Sequence, residues 1–144
     1  MNDLAHTTDA VHALQDNLLA MPQVDVAIEH LVHGGMYART ALIPANTVLT
    51  GAQTNADNIC VVYGDITVTT DNGVQRLTGF NVLPASAGAK RAGFAHADTW
   101  WTMLARTDLQ DVSDIEEALT GEADLLQTRR PAIARDATQQ LKGT

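Results

Sequence analysis

Asp65-Ile66-Thr67-Val68-Thr69-Thr70-Asp71-Asn72-Gly73-Val74-Gln75-Arg76-Leu77-Thr78 is the stretch on which the fold turns. Ile66 and Val68 alternate with polar residues on one side of Asn72-Gly73, and Val74 stands beyond it. Asn-Gly between alternating runs signals a tight β-hairpin, because a type I′ turn needs two residues that tolerate positive φ. The spacing therefore predicts a hairpin of 65–70 with 74–78. Working outward, residues 37–43, 59–62, 80–83 and 100–105 are short and rich in β-branched or aromatic residues, as strands are. Turn signals separate them: Ile43-Pro44-Ala45-Asn46, Tyr63-Gly64-Asp65 and Ala87-Gly88. Short strands at close spacing, without amphipathic helices between them, indicate a sandwich or barrel over residues 23–107.

The flanks differ in pattern. In residues 1–22, Leu4, Val11, Leu14, Leu18 and Leu19 fall at helical spacings, with Thr8 or Asp9 as cap and Pro22 as terminator. So short a helix is marginal alone, and it must dock to persist. In residues 108–144, Val112, Ile115 and Leu119 share one face of a second helix. Six acidic residues and no basic one lie between Asp111 and Asp124, and Arg129, Arg130, Arg135 and Lys142 follow. The pattern fits a solvated acidic helix with a polar tail, or an arm that docks on a neighbouring subunit. Leu14, Leu18, Ile115 and Leu119 are expected to bury against the barrel or a neighbour.

Composition narrows the partners. The 144 residues carry a formal net charge of −8, with 45% hydrophobic and 18% charged residues. That is globular composition, and it argues against nucleic acid and anionic membrane surfaces as partners. No apolar run reaches the roughly 18–20 residues that span a bilayer. The polar, acidic start carries no secretory signal pattern. One cysteine, Cys60, allows neither an internal disulfide nor a cysteine zinc cluster. Between Ile59 and Val61 it reads as inert core.

The segment from Ala38 through Pro44-Ala45 to Thr50-Gly51, followed by Val61-Val62-Tyr63-Gly64-Asp65-Ile66, resembles the first conserved motif of the cupins. Gly79-Phe80-Asn81-Val82-Leu83-Pro84-Ala85-Ser86-Ala87-Gly88 resembles their second. The resemblance covers about half of the chain. It implies a mostly β fold, a cupin-type double-stranded β-helix (jelly-roll) barrel with helical extensions at both ends. Met21-Pro22-Gln23-Val24-Asp25, Gly35-Met36-Tyr37-Ala38-Arg39, Ala95-His96-Ala97-Asp98-Thr99-Trp100-Trp101 and the trailing acidic helix are similar to small bacteriophage-encoded cupin-like proteins.

A catalytic cupin holds a divalent metal with two or three His and a Glu or Gln. At the matching positions stand Gln53, Thr54, Asp57 and Asn58, and Arg91 takes the place of a ligand His. A fixed cation repels a metal. The expectation is therefore no metal, no cofactor and no catalysis. Arg91 and Asp57 have two readings: an ion pair that replaces the metal as a tie, or, with Lys90, an arginine fork for an anionic ligand. His96, Asp98 and Trp100, two residues apart on a strand, would share one face, as a small polar site or as a satisfied histidine beside an aromatic. His30 and His33 could join such a site or lie on a surface loop.

The resemblance implies a non-enzymatic structural or assembly component of a phage particle, acting as a homo-oligomer with other phage structural proteins. Its location would be the virion or the cytoplasm of the infected host. The alternatives are a cupin that binds or sequesters a small anionic metabolite or nucleotide, and a metal-dependent enzyme with unusual ligands. Gln53, Asp57, Arg91, His96, Asp98 and Trp100 are the candidate ligand-binding residues.

Overall fold

The structure is a computed structural model that describes residues 3–126 and 128. In chain order it runs α1 (Asp3–Leu19), β1 (Ala27–His33), β2 (Met36–Ile43), β3 (Val48–Thr50), β4 (Asn58–Thr70), β5 (Gly73–Ala85), β6 (Ala92–Ala95), β7 (Thr99–Arg106) and α2 (Val112–Leu119). A single 3-10 turn follows at Ala123–Leu125. The expected barrel is present as one antiparallel sheet in the order β1-β2-β7-β4-β6-β3, with β5 pairing β4. No helix among the described residues is long and apolar enough to cross a membrane.

β4 organises the sheet. Its first half pairs with β7, from Ile59↔Leu104 to Tyr63↔Trp100, and its second half pairs with β6, from Ile66↔Ala95 to Val68↔Gly93. β5 lies along its other edge from Asn58↔Ala85 to Thr70↔Gly73. The hairpin expected around Asn72-Gly73 is therefore real, but its turn is not type I′. Gly73 has φ +96, whereas neither Asp71 nor Asn72 has a positive φ. That is the signature of a turn followed by a glycine bulge.

The turn expected at Tyr63-Gly64-Asp65 is instead a bend inside one strand. Gly64 has φ +149, and a Cβ there would lie 2.5 Å from Thr99 Oγ1 and 2.8 Å from the Asp98 carbonyl. Only glycine lets β4 pass so close beneath the start of β7. Its partner across the hairpin is Gly79, also at positive φ, so both strands turn together and curl the sheet.

The concave side of the curl holds the core: Ile43, Cys60, Val62, Ile66, Val68, Leu77, Ala85 and Ala95. The two helices cover its open side. α1 begins at Asp3, so Thr8 lies inside the helix and is buried, not at its cap. Gln23 Nε2 closes its far end by donating to the carbonyls of Leu18 and Met21, both at 2.9 Å. α2 is capped by Asp111, whose side chain accepts from Asp114 N at 3.1 Å. Val11 and Ile115 are buried, and Leu14, Leu18 and Leu119 are half-buried. Both helices therefore pack against the half-barrel, as their apolar spacing requires. The basic run Arg129, Arg130, Arg135 and Lys142 lies outside the described residues.

Candidate functional site

The curl encloses a cavity of about 440 Å³ between the concave face and the helices. Inward-facing residues of alternating strands line it, because side chains two apart share a face. Ala41, Cys60, Ile66, Val68, Trp101 and Met103 form its apolar wall, and Leu18, Pro22 and Val26 close it from above. Its volume lies in the range of small-molecule pockets.

One polar chain crosses this wall. Arg39, inward on β2, donates from Nη1 to Glu116 Oε2 at 2.7 Å and to the Tyr37 hydroxyl at 3.3 Å. The Arg39 and Glu116 side chains are only 15% and 5% exposed, so the pair is buried. Thr128 Oγ1 donates to the same carboxylate oxygen at 2.6 Å. The Tyr37 hydroxyl, which accepts from Arg39, also shares a hydrogen bond with His30 Nδ1 at 2.6 Å. Burial and then the Arg39 charge hold the His30 pKa below its ordinary value, against an opposing effect of Glu116. Burial likewise pushes the Tyr37 phenol up. Arg39 Nε and Nη2 have no protein partner among the described residues. Arg39 is one of the residues lining the cavity.

A second network latches the arms to the rim. Lys90, whose side chain is fully buried, donates to the Gly51 carbonyl and to Glu122 Oε1, both at 2.8 Å. Glu122 also accepts from Gln53 N at 2.8 Å and from Gln15 Nε2 at 3.3 Å. Burial pushes the Glu122 carboxyl up, yet the bonds from Lys90, Gln53 and Gln15 outweigh it and hold the pKa below the ordinary range.

The sequence-predicted residues scatter around these networks. Gln53 belongs to the latch, bonding His12 Nε2 at 3.2 Å and the Gly88 carbonyl at 3.1 Å. Asp57 is exposed and accepts from Ala87 N at 2.7 Å. It therefore ties a turn, and it makes no pair with Arg91. Arg91 lines the cavity, but its guanidinium donates to the carbonyls of Thr69 (2.9 Å) and Pro84 (3.0 Å) and lies 3.8 Å from Asp71. Lys90 is sealed in the latch and cannot assist it with an anion. His96 and Asp98 are in the turn between β6 and β7, not on a strand, and both are exposed. His96 bonds Thr67 Oγ1 at 2.7 Å, and Asp98 accepts from Ala45 N at 2.9 Å, so neither orients the other. Trp100 points outward, 44% exposed, and its neighbour Trp101 reaches the cavity. His30 joins Tyr37, whereas His33 ends an edge strand.

Sequence reasoning missed the residues that do converge. Tyr37 and Arg39 carry a legible signal, two polar side chains on the inward parity of a strand with Ala41 and Ile43. Glu116 carries none, since it is one carboxylate in an acidic run.

No family model matches the sequence, and no curated protein matches it either. Solved structures do match the shape. DMSP lyase DddQ from Ruegeria pomeroyi superposes with a TM-score of 0.51 at 17% identity, over 61% of this chain and 50% of that one. A cupin superfamily protein from Desulfitobacterium hafniense gives 0.49 at 13% identity, over 61% and 83%. KdgF from a Halomonas species gives 0.48 at 17%, over 58% and 82%. The chain has a cupin fold. At these identities the likeness concerns the fold alone.

The cupin metal does not fit the residues present. Among the described residues no three His, Cys, Asp or Glu side chains come together as a metal would need. Asp57 faces outward, Gln53 is spent in the latch, and Arg91 brings a guanidinium to the cavity wall. The Cys60 thiol, pushed up by burial, is a poor ligand precursor.

Proposed function

We propose that this is a non-enzymatic cupin that binds a small amphiphilic ligand, its apolar body in the half-barrel and its anionic group on Arg39. The observation that supports this most is the Arg39 guanidinium, lining an apolar cavity of about 440 Å³ with its Nε and Nη2 edge unpartnered among the described residues. An arginine fork matches a carboxylate or phosphate, and it is worth most where water is scarce. The test is a thermal-shift titration with octanoate, phenylpropionate and nucleoside monophosphates. A carboxylate of matching size at a hundredfold its dissociation constant should stabilise the fold by about 2.7 kcal/mol. Arg39→Met with Glu116→Met, which removes both charges, should abolish that shift. If no probe stabilises the wild-type protein, or if the double variant responds equally, the proposal fails.

A second reading is a structural or assembly component of a bacteriophage particle, working as a homo-oligomer with other particle proteins, in the virion or the host cytoplasm. The broad apolar patch on the convex face of the sheet favours it. Mass spectrometry of purified particles tests it, and absence of the chain from them would refute it.

A further inference from the structure

His30 on β1 stands directly opposite Arg39 on β2. Directly opposite residues share a face of the sheet, so both side chains lie on the inward side with Tyr37. There they converge on one atom. The Tyr37 hydroxyl oxygen is 2.6 Å from His30 Nδ1 and 3.3 Å from Arg39 Nη1. Imidazole and guanidinium are therefore within about 6 Å of each other, a range in which like charges oppose each other's ionisation. Tyr37 is fully buried and, like Arg39, lines the cavity. His30 is exposed at the edge of the sheet, where its proton exchanges with water.

Few charges face this histidine. Among the described residues, β2 contributes Arg39 and the Tyr37 phenol, α2 contributes Glu116, and no strand lies beyond β1. Glu116 is committed to Arg39 at 2.7 Å and also accepts from Thr128 Oγ1. Glu29 and Leu31, beside His30 on its own strand, point to the opposite face. Burial and the Arg39 charge prevail over Glu116, so His30 is harder to protonate than an ordinary histidine.

We propose that binding of an anion on Arg39 draws a proton onto His30, so that the cavity binds its ligand more tightly as pH falls through the histidine range. This coupling rests on the reading of Arg39 as the anion site. An anion on the guanidinium offsets the like charge that keeps His30 neutral. Linkage is reciprocal, so whatever the anion does for the proton, the proton does for the anion. The shared oxygen adds a second route. A neutral imidazole either accepts from the phenol or donates to it, whereas an imidazolium only donates. Once His30 is charged, it and Arg39 both donate to the Tyr37 oxygen, and the phenol hydrogen must turn to a third acceptor. In a filled cavity that acceptor is the anion. Tyr37 thus joins the ligand's donors when His30 carries its proton.

Calorimetric titration of the full chain with octanoate and phenylpropionate, between about pH 5.5 and 8.5, tests the proposal. Such carboxylates stay ionised across that range, whereas the phosphate of a nucleoside monophosphate titrates within it. The dissociation constant should be at least ~5-fold lower at the acid end, the low end of ordinary coupling between sites. Repeating the titration in buffers of different ionisation enthalpy should show net proton uptake on binding. His30→Gln, which keeps a hydrogen-bonding group beside Tyr37, should lose both the pH dependence and the uptake. In the wild type itself, the NMR signal of the His30 ring should titrate at higher pH with octanoate bound than without. Binding that is independent of pH, a pH dependence that survives in His30→Gln, or a His30 signal indifferent to octanoate overturns the coupling and leaves the anion site standing. Failure of both carboxylates to bind at any pH overturns the anion site, and the coupling falls with it.

Discussion

Replacing Arg39 by Met separates the cost of a broken charge pair from the value of an intact one. In the wild type, Arg39 Nη1 lies 2.7 Å from Glu116 Oε2, with side chains 15% and 5% exposed. The single variant removes the Arg39 cation from the Glu116 carboxylate, which still accepts from Thr128 Oγ1. Breaking a buried pair by removing one partner costs about 3–5 kcal/mol. Arg39→Met with Glu116→Met replaces two charges by apolar side chains against an apolar wall and should lie within about 1–2 kcal/mol of wild type. The assay is urea unfolding followed by tryptophan fluorescence, because Trp101 lines the same cavity. The double-mutant cycle should give a coupling energy of at least about 2 kcal/mol. A single-variant loss below about 1 kcal/mol, or additive losses, would refute a buried pair that spans strand and helix.

Gly64→Ala should cost about 3 kcal/mol or more, from positive φ and overpacking against backbone of Thr99 and Asp98. Gly121→Ala, where nothing lies within 4 Å, should be near neutral in the same unfolding experiment. Glu122 has a folded pKa below its ordinary 4.5, so its stabilising contribution is full above that value and is lost as pH falls through the lowered pKa. Glu122→Gln should therefore flatten the acid limb of a stability–pH curve measured by thermal melts. Cys60, 3% exposed with its thiol pKa raised by burial, should react with iodoacetamide at least ~100-fold more slowly in the native than in the unfolded protein. Equal rates, counted by mass spectrometry, would place it outside the core.

The strands were legible where residue chemistry is local. Alternation marked β2, both halves of β4, the arms of β5 and the body of β7, and Asn72-Gly73 marked their hairpin. β3 and β6, at three and four residues, are too short to show a period; β6 exists because β4 offers it an edge, and β3 because β6 does. Ala27–His33 forms β1 through its register with β2, with a burial pattern too exposed to announce it. Tyr63-Gly64-Asp65 read as a turn because glycine punctuates many turns. Here its freedom serves a bend beneath Thr99, a contact 35 residues further along.

By itself the sequence determined a mostly β sandwich or barrel flanked by a helical segment at each end, since periodicity and turn chemistry act between residues a few positions apart. The resemblance added only an expectation, that Gln53, Thr54, Asp57, Asn58 and Arg91 stand at the cupin ligand positions. Only the tertiary structure decided which polar groups meet. Arg39 and Glu116 are 77 positions apart, and Lys90 and Glu122 are 32 apart. Asp57 and Arg91, paired by motif, face different surroundings because β4 and the preceding loop set their directions. Side-chain burial and charge pairing depend on distances in space, and those appear only once the sheet has curled.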